Sequence, residues 1–114
     1  MGPKPLYSTD SIPVMHVRET KFGFVPQHFD KIMEWADDAK ERMKETEGLH
    51  SIALFKISED HGKILAMYET KEHMDKGKGL FFMALTGVLP WITLSPDVEE
   101  YEVNWMWERN EGHG

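Results

Sequence analysis

His16 and Arg18 stand two positions apart in a run of alternating side chains, and they are the first residues whose types and spacing suit chemistry. On an extended strand they share one face. If neither face of that strand is open to water, an imidazole and a guanidinium there need partners. As a pair they suit a reaction in which His16 takes a proton from a phenol-like group while Arg18 stabilises the resulting phenolate or a peroxide. The same pair also suits a structural role against a glutamate or a backbone carbonyl.

Flat side chains form a second group. Tyr68, Trp91, Trp105 and Trp107 combine broad rings with an O–H or N–H handle, fit to stack on and orient a polycyclic ligand or to pack a core. Phe81, Phe82 and Met83 suit an apolar pocket wall or simple space filling, and Trp107, late in the chain, suits an interface. The histidines (His16, His28, His50, His61, His73 and His113) show neither the i, i+4 pair of a helical zinc site nor a nearby carboxylate triad, so no metal is expected. Lys76-Gly77-Lys78-Gly79 falls short of a phosphate-binding loop and reads as a helix break or solvated loop.

The chain has 114 residues, 13 Lys+Arg against 20 Asp+Glu, a net charge of -7 and no cysteine. That length suits one domain with a modest core. The missing cysteines exclude disulfides, Cys-ligated metals and thiol chemistry, and the acidic balance argues against nucleic-acid and anionic-membrane partners. The apolar stretch from Leu80 to Leu94 is too short and too interrupted to span a membrane, and no secretory signal precedes the domain, so a cytoplasmic location is expected.

The elements that must hold these residues follow from periodicity. Residues 1–11 read as an N-terminal arm, 12–107 as the domain and 108–114 as a flexible tail. Within the domain, Ile12 to Thr20 reads as a strand, Gln27 to Thr46 as an amphipathic helix and Leu49 to Ser58 as a second strand. Glu59 to Gly62 reads as a hairpin turn and Lys63 to Thr70 as a third strand. A second helix starts near Lys71, weakens at Gly77 and Gly79 and turns apolar on nearly every side from Leu80 to Leu89. A loop with Trp91 lies between Pro90 and Pro96, and Val98 to Trp107 reads as the last strand, with Glu99, Glu100 and Glu102 as an acidic edge.

The order β-α-β-β-α-β predicts an α+β, ferredoxin-like sandwich: a four-stranded antiparallel sheet with two helices on one face and strands one and three at its centre. Strand three is apolar on both faces, Ile64, Ala66 and Tyr68 alternating with Leu65 and Met67. Helices cover only one, so a second copy packed sheet to sheet, a homodimer, is expected to cover the other.

With that order, Glu47-Gly48-Leu49 entering strand two and Tyr68-Glu69 closing strand three, the chain resembles the antibiotic-biosynthesis-monooxygenase-like family of dimeric α+β barrels over about residues 12–107. The resemblance implies a homodimer with a pocket between each sheet and its helices. It also implies cofactor-independent oxygenation of a quinol or anthrone-like phenol, with no metal or flavin. Lys71 stands where many members carry an aromatic residue. Haem-degrading relatives have an Asn in strand one that this chain lacks, and His73 is the candidate axial ligand for that alternative.

The expected function is a cofactor-independent monooxygenase acting on a flat, mostly apolar phenolic molecule. Its expected catalytic residues are His16 and Arg18, and its expected substrate contacts are Tyr68, His73, Phe82, Trp91 and Trp105. The alternatives are a non-catalytic ligand-binding or stress-associated module of the same fold and, below it, haem binding.

Overall fold

Alternation organises the sheet. In β1 (His16–Gly23), Arg18, Thr20 and Phe22 are buried on one face while Val17 and Glu19 are half-buried on the other. β2 (Leu49–Ser58) and β3 (His61–Tyr68) form a hairpin, and β4 (Asp97–Glu102) completes a four-stranded sheet of order β2-β3-β1-β4, antiparallel throughout. This is the expected ferredoxin-like sheet with β1 and β3 at the centre. A computed structural model, the structure describes residues 14–109, so the arm over 1–11, the first residues of the expected first strand and the last residues of the tail lie outside the described residues.

One face of the sheet is covered. Phe22, Ile64, Ala66 and Tyr68 point to the same side as Arg18 and pack against Ile32, Met74, Phe81, Leu85 and Val88 from the helices. Burying side chains of this size contributes about 1.5–3 kcal/mol each. A bulge between Leu49 and Ser51 returns Leu49 to this face beside Ile52 and Leu54. The other face carries Leu65 and Met67, as the two-sided pattern of strand three requires, with Val17, Ala53, Phe55 and Tyr101 in register beside them.

The helices are more segmented than the periodicity predicts. A 3-10 turn, Pro26–His28, leads into α1 (Phe29–Asp38), and α2 (Lys40–Lys44) follows after Ala39. Ala39 has ψ -7°, but its N–H still bonds the Trp35 carbonyl at 3.1 Å and its carbonyl accepts from Met43 N–H at 3.0 Å. The break is a flattened turn within one rod, beside Asp37 and Asp38, poor helix formers at a helix C-terminus. The expected second helix divides at Gly77 into α3 (Lys71–Lys76) and α4 (Lys78–Leu85), and a 3-10 turn over Thr86–Trp91 contains Pro90 and the Trp91 read as loop. Its all-round apolar character leaves Leu80, Met83 and Leu89 more than half exposed.

β3 begins at His61, so the hairpin turn is confined to Glu59 and Asp60. The last strand is shorter than predicted. Its ladder ends where Glu102 meets His16, the first residue of β1; beyond it Val103 N–H reaches back to the Met15 carbonyl at 2.8 Å and Glu108 lies 3.1 Å from His50 Nε2. Trp105 and Trp107 therefore lie outside the sheet, 82% and 65% exposed.

Gly48 makes the turn between α2 and β2 possible. Its φ of 78° is open to glycine, and an added Cβ would lie 2.1 Å from the His73 ring.

Candidate functional site

Between the covered face and the helices lies a cavity of about 320 Å³, at the small end of the range for small-molecule sites. Its floor is the inner face of the hairpin, with Leu49, Ile52, Leu54, Ile64 and Tyr68. One wall comes from the α1–α2 rod, where Trp35, Ala39, Met43 and Thr46 recur at helical spacing with Ala36 and Arg42 flanking them; the opposite wall is α4, with Leu80, Phe81, Met83 and Ala84. Two alanines face the sheet where larger side chains would close the gap, and that choice of size opens the hollow. Trp35 donates its indole N–H to the Ala84 carbonyl at 2.8 Å, tying the two walls together.

Tyr68 is the buried polar residue of this lining, 2% exposed. Its hydroxyl oxygen accepts a hydrogen bond from Arg18 Nη1 at 3.1 Å, which leaves the hydroxyl hydrogen available to a ligand oxygen. Gly77 lets the helices approach that ring: an added Cβ would sit 3.1 Å from Cε2 and 3.3 Å from the hydroxyl oxygen.

Arg18 is fully buried and fully engaged. Besides Tyr68, it donates from Nη2 to the Met74 carbonyl at 2.7 Å and from Nε to Glu100 at 3.2 Å, and its guanidinium lies 5.0 Å from the Phe81 ring centre. A buried cation with three hydrogen-bonded partners and aromatic faces has its desolvation offset. Glu100, read from sequence as part of an acidic edge, turns inward to this pair. Arg18 stands one layer behind the cavity, holding Tyr68 in place.

The other expected site residues are dispersed. His16 lies at the start of β1, its Nδ1 3.0 Å from the Val14 carbonyl, and does not line the cavity. His73 holds a helix start: Thr70 Oγ1 accepts from its backbone N–H at 3.0 Å and meets its Nδ1 at 2.9 Å, while its Nε2 is 3.7 Å from Glu47. Phe82 is 38% exposed and packs edge-on to Phe81; Trp91 is half-buried against the core and Trp105 faces solvent. Among the seven, the structure brings together Tyr68, Arg18 and Phe82, whose ring centre lies 5.8 Å from the Arg18 guanidinium.

Sequence reasoning passed over Trp35, Ala39 and Arg42. The signal was present in the spacing of Trp35, Ala39, Met43 and Thr46, but periodicity marks a face as inward without saying whether it meets packing or a hollow.

The resolved titration shifts lie outside the cavity. On the bare face, a hydrogen bond from Lys63, with help from the Lys63 and Lys21 charges, holds the Glu19 carboxyl below its ordinary range. The Tyr101 phenol, bonded to Glu99 and close to Glu19, is pushed up to about 12. Among the described residues no group of three or more His, Asp or Glu side chains is placed to hold a metal, and no helix is long and apolar enough to cross a membrane.

The sheet order and the cavity between sheet and helices define a ferredoxin-like α+β fold, and the solved structures similar to it include several described as "putative antibiotic biosynthesis monooxygenase". A "putative antibiotic biosynthesis monooxygenase" from Caulobacter crescentus superposes with a TM-score of 0.68 at 16% identity, over 85% of this chain and 97% of that one. SnoaB, a cofactor-independent oxygenase from Streptomyces nogalater, gives 0.64 at 9% identity over 83% and 98%. A protein of unknown function from Nitrosomonas europaea gives 0.72 at 7% identity over 85% and 96%. At these identities the likeness is one of fold. No protein-family model matches the sequence, and no curated protein matches it.

Proposed function

We propose that this protein is a cytoplasmic, cofactor-independent monooxygenase that takes a flat phenolic or quinol-type molecule into the cavity between sheet and helices. The observation that carries the reading is the combination of an apolar hollow with one buried hydroxyl, Tyr68, fixed from behind by the buried Arg18 guanidinium. Such a donor, where a ligand oxygen can reach it, stabilises an oxyanion more than it stabilises the neutral phenol. Similarity of fold to a cofactor-independent oxygenase supports the same direction.

In the proposed reaction the substrate is its own reductant. Its acidic proton leaves to solvent, the electron-rich anion, its oxygen held by Tyr68, adds O2 at what was a ring CH2 carbon, and the resulting peroxide anion takes a proton back from solvent to give a hydroperoxide. Loss of water from that hydroperoxide leaves a carbonyl, so CH2 and O2 become C=O and H2O with atoms and electrons balanced. Tyr68 is the catalytic residue of this scheme and Arg18 positions it; His16, away from the cavity, has no step in it.

A homodimer through the bare sheet face belongs to the proposal. Val17, Leu65 and Met67, with the exposed Phe55 and Tyr101, offer an apolar surface that no helix among the described residues covers.

The test is oxygen uptake by the purified protein with anthrone and hydroxylated anthrones, in the presence of a chelator and against boiled protein. Uptake that resists chelation, dies on boiling and falls about a hundredfold in Tyr68→Phe supports the reading. A Tyr68→Phe variant with undiminished turnover refutes the role given to Tyr68. A second reading, ligand binding without turnover, is favoured by one observation: among the described residues no His, Asp or Glu lines the cavity to act as a general base. Saturable binding of the same phenols with no uptake across the panel selects it.

A further inference from the structure

The α2 segment carries three cations, and their surroundings differ. Lys40 Nζ lies 2.9 Å from the Asp37 carboxylate, which raises the lysine above its ordinary range, and Lys44 Nζ lies 3.1 Å from Glu41. Arg42 has no ion pair and no side-chain hydrogen bond among the described residues, and it is the one of the three that lines the cavity. Among the described residues the rest of the lining holds no charged side chain. Beyond hydrocarbon it offers the hydroxyls of Thr46, Tyr68 and Thr86, and the Trp35 N–H already satisfied by Ala84.

In a chain of net charge -7, an apolar hollow whose single formal charge is positive is a selective arrangement. A hydrophobic molecule gains by leaving water for the hollow, and an anionic head on it would lose hydration unless a cation met it at the wall. Arg42 is exposed, so its guanidinium stays hydrated until a ligand arrives, and its planar fork matches a carboxylate with two parallel N–H bonds. A lysine would offer a point charge without that fit.

We infer that the cavity takes an apolar molecule bearing one carboxylate, with the body between the hairpin and α4 and the carboxylate on Arg42. This rests on the cavity being a ligand site, as proposed above, and requires no turnover. It gives the ligand two recognised ends, an oxygen for Tyr68 and an acid group for Arg42.

The experiment is calorimetric titration of the full chain with naphthalene-2-carboxylate, its neutral analogue 2-naphthalenemethanol, and decanoate. The expected result is that the naphthoate binds about tenfold or more tightly than the alcohol. In Arg42→Gln the acid should fall to the alcohol's affinity with the alcohol unchanged, while Lys44→Gln should keep the full preference. Decanoate binding with the same dependence on Arg42 extends the class to acyl chains, and its failure beside a bound naphthoate restricts the class to flat aromatic acids. Equal binding of acid and alcohol to the natural protein overturns the role of Arg42 but leaves the cavity as a ligand site. So does a preference that survives Arg42→Gln. Failure of all three probes to bind overturns this inference and the cavity reading together.

Discussion

On the helix side of the sheet, β3 presents Ile64, Ala66 and Tyr68, each at most 4% exposed, whereas on the opposite side it presents Leu65 and Met67 half-buried beside exposed Phe55 and Tyr101. Both sets are apolar, and what differs is their cover. The helix side is closed by α1 to α4 except where Ala36 and Ala39 leave a hollow, and its fully buried charged residue, Arg18, is satisfied by Tyr68, Met74 and Glu100. The bare side mixes its apolar residues with a Lys63–Glu19–Tyr101–Glu99 network. Even positions of the central strands thus build the core and the cavity, while odd positions form the bare face proposed for association, and a substitution should act on one face or the other according to its parity.

The largest effect is expected where the helix side is most tightly bound. Arg18→Leu strands the Tyr68 hydroxyl, the Met74 carbonyl and Glu100, and should cost about 3 kcal/mol of stability in urea unfolding, at the low end for a broken buried pair because Glu100 is partly solvated. The matching change on the bare side, Leu65→Glu, should leave the fold intact and weaken self-association about a hundredfold in sedimentation equilibrium. If Leu65→Glu unfolds the chain while Arg18→Leu does not, the assignment of the two faces is reversed.

A smaller effect sharpens the cavity. Ala36→Phe places a ring in the hollow and should reduce phenol binding about tenfold while holding or raising the melting temperature, because it fills space that packing left open. Loss of stability with binding unchanged would mean the cavity is not where the ligand sits.

The smallest effects are titrations of the bare face. Glu19 is held below its ordinary carboxylate range in the folded chain by Lys63, so its contribution to stability is present at neutral pH and is lost as pH falls through that lowered range. Tyr101 is raised above the ordinary phenol value of 10.0 to about 12, so its contribution is complete below pH 10.0 and is lost as pH rises through about 12. Tyrosinate absorbance should show a high-pH step that Tyr101→Phe removes.

Much of this contrast was legible in the sequence. The two-sided pattern of β3, the element order and the exposed second face follow from alternation alone, and Arg18 and Tyr68 stand out as polar groups on an inward face. A pocket between sheet and helices was expected from the resemblance alone; its α1–α2 wall was not legible, because Trp35, Ala36 and Ala39 give the same periodic signal whether they meet side chains or space. His16 misled because sharing a strand face with Arg18 does not place it at the same depth: it falls at the strand's first residue, beside the Val14 carbonyl. Trp105 misled because an alternating aromatic run needs a partner strand, and the ladder with β1 ends at Glu102.

The most direct test of the two-faced account is a titration with 2-naphthol followed by NMR of the methionine methyl groups, since Met43 and Met83 line the cavity and Met67 sits on the opposite face. The account predicts saturable shifts at Met43 and Met83 with Met67 unmoved. Shifts at Met67 with Met43 and Met83 silent would contradict it.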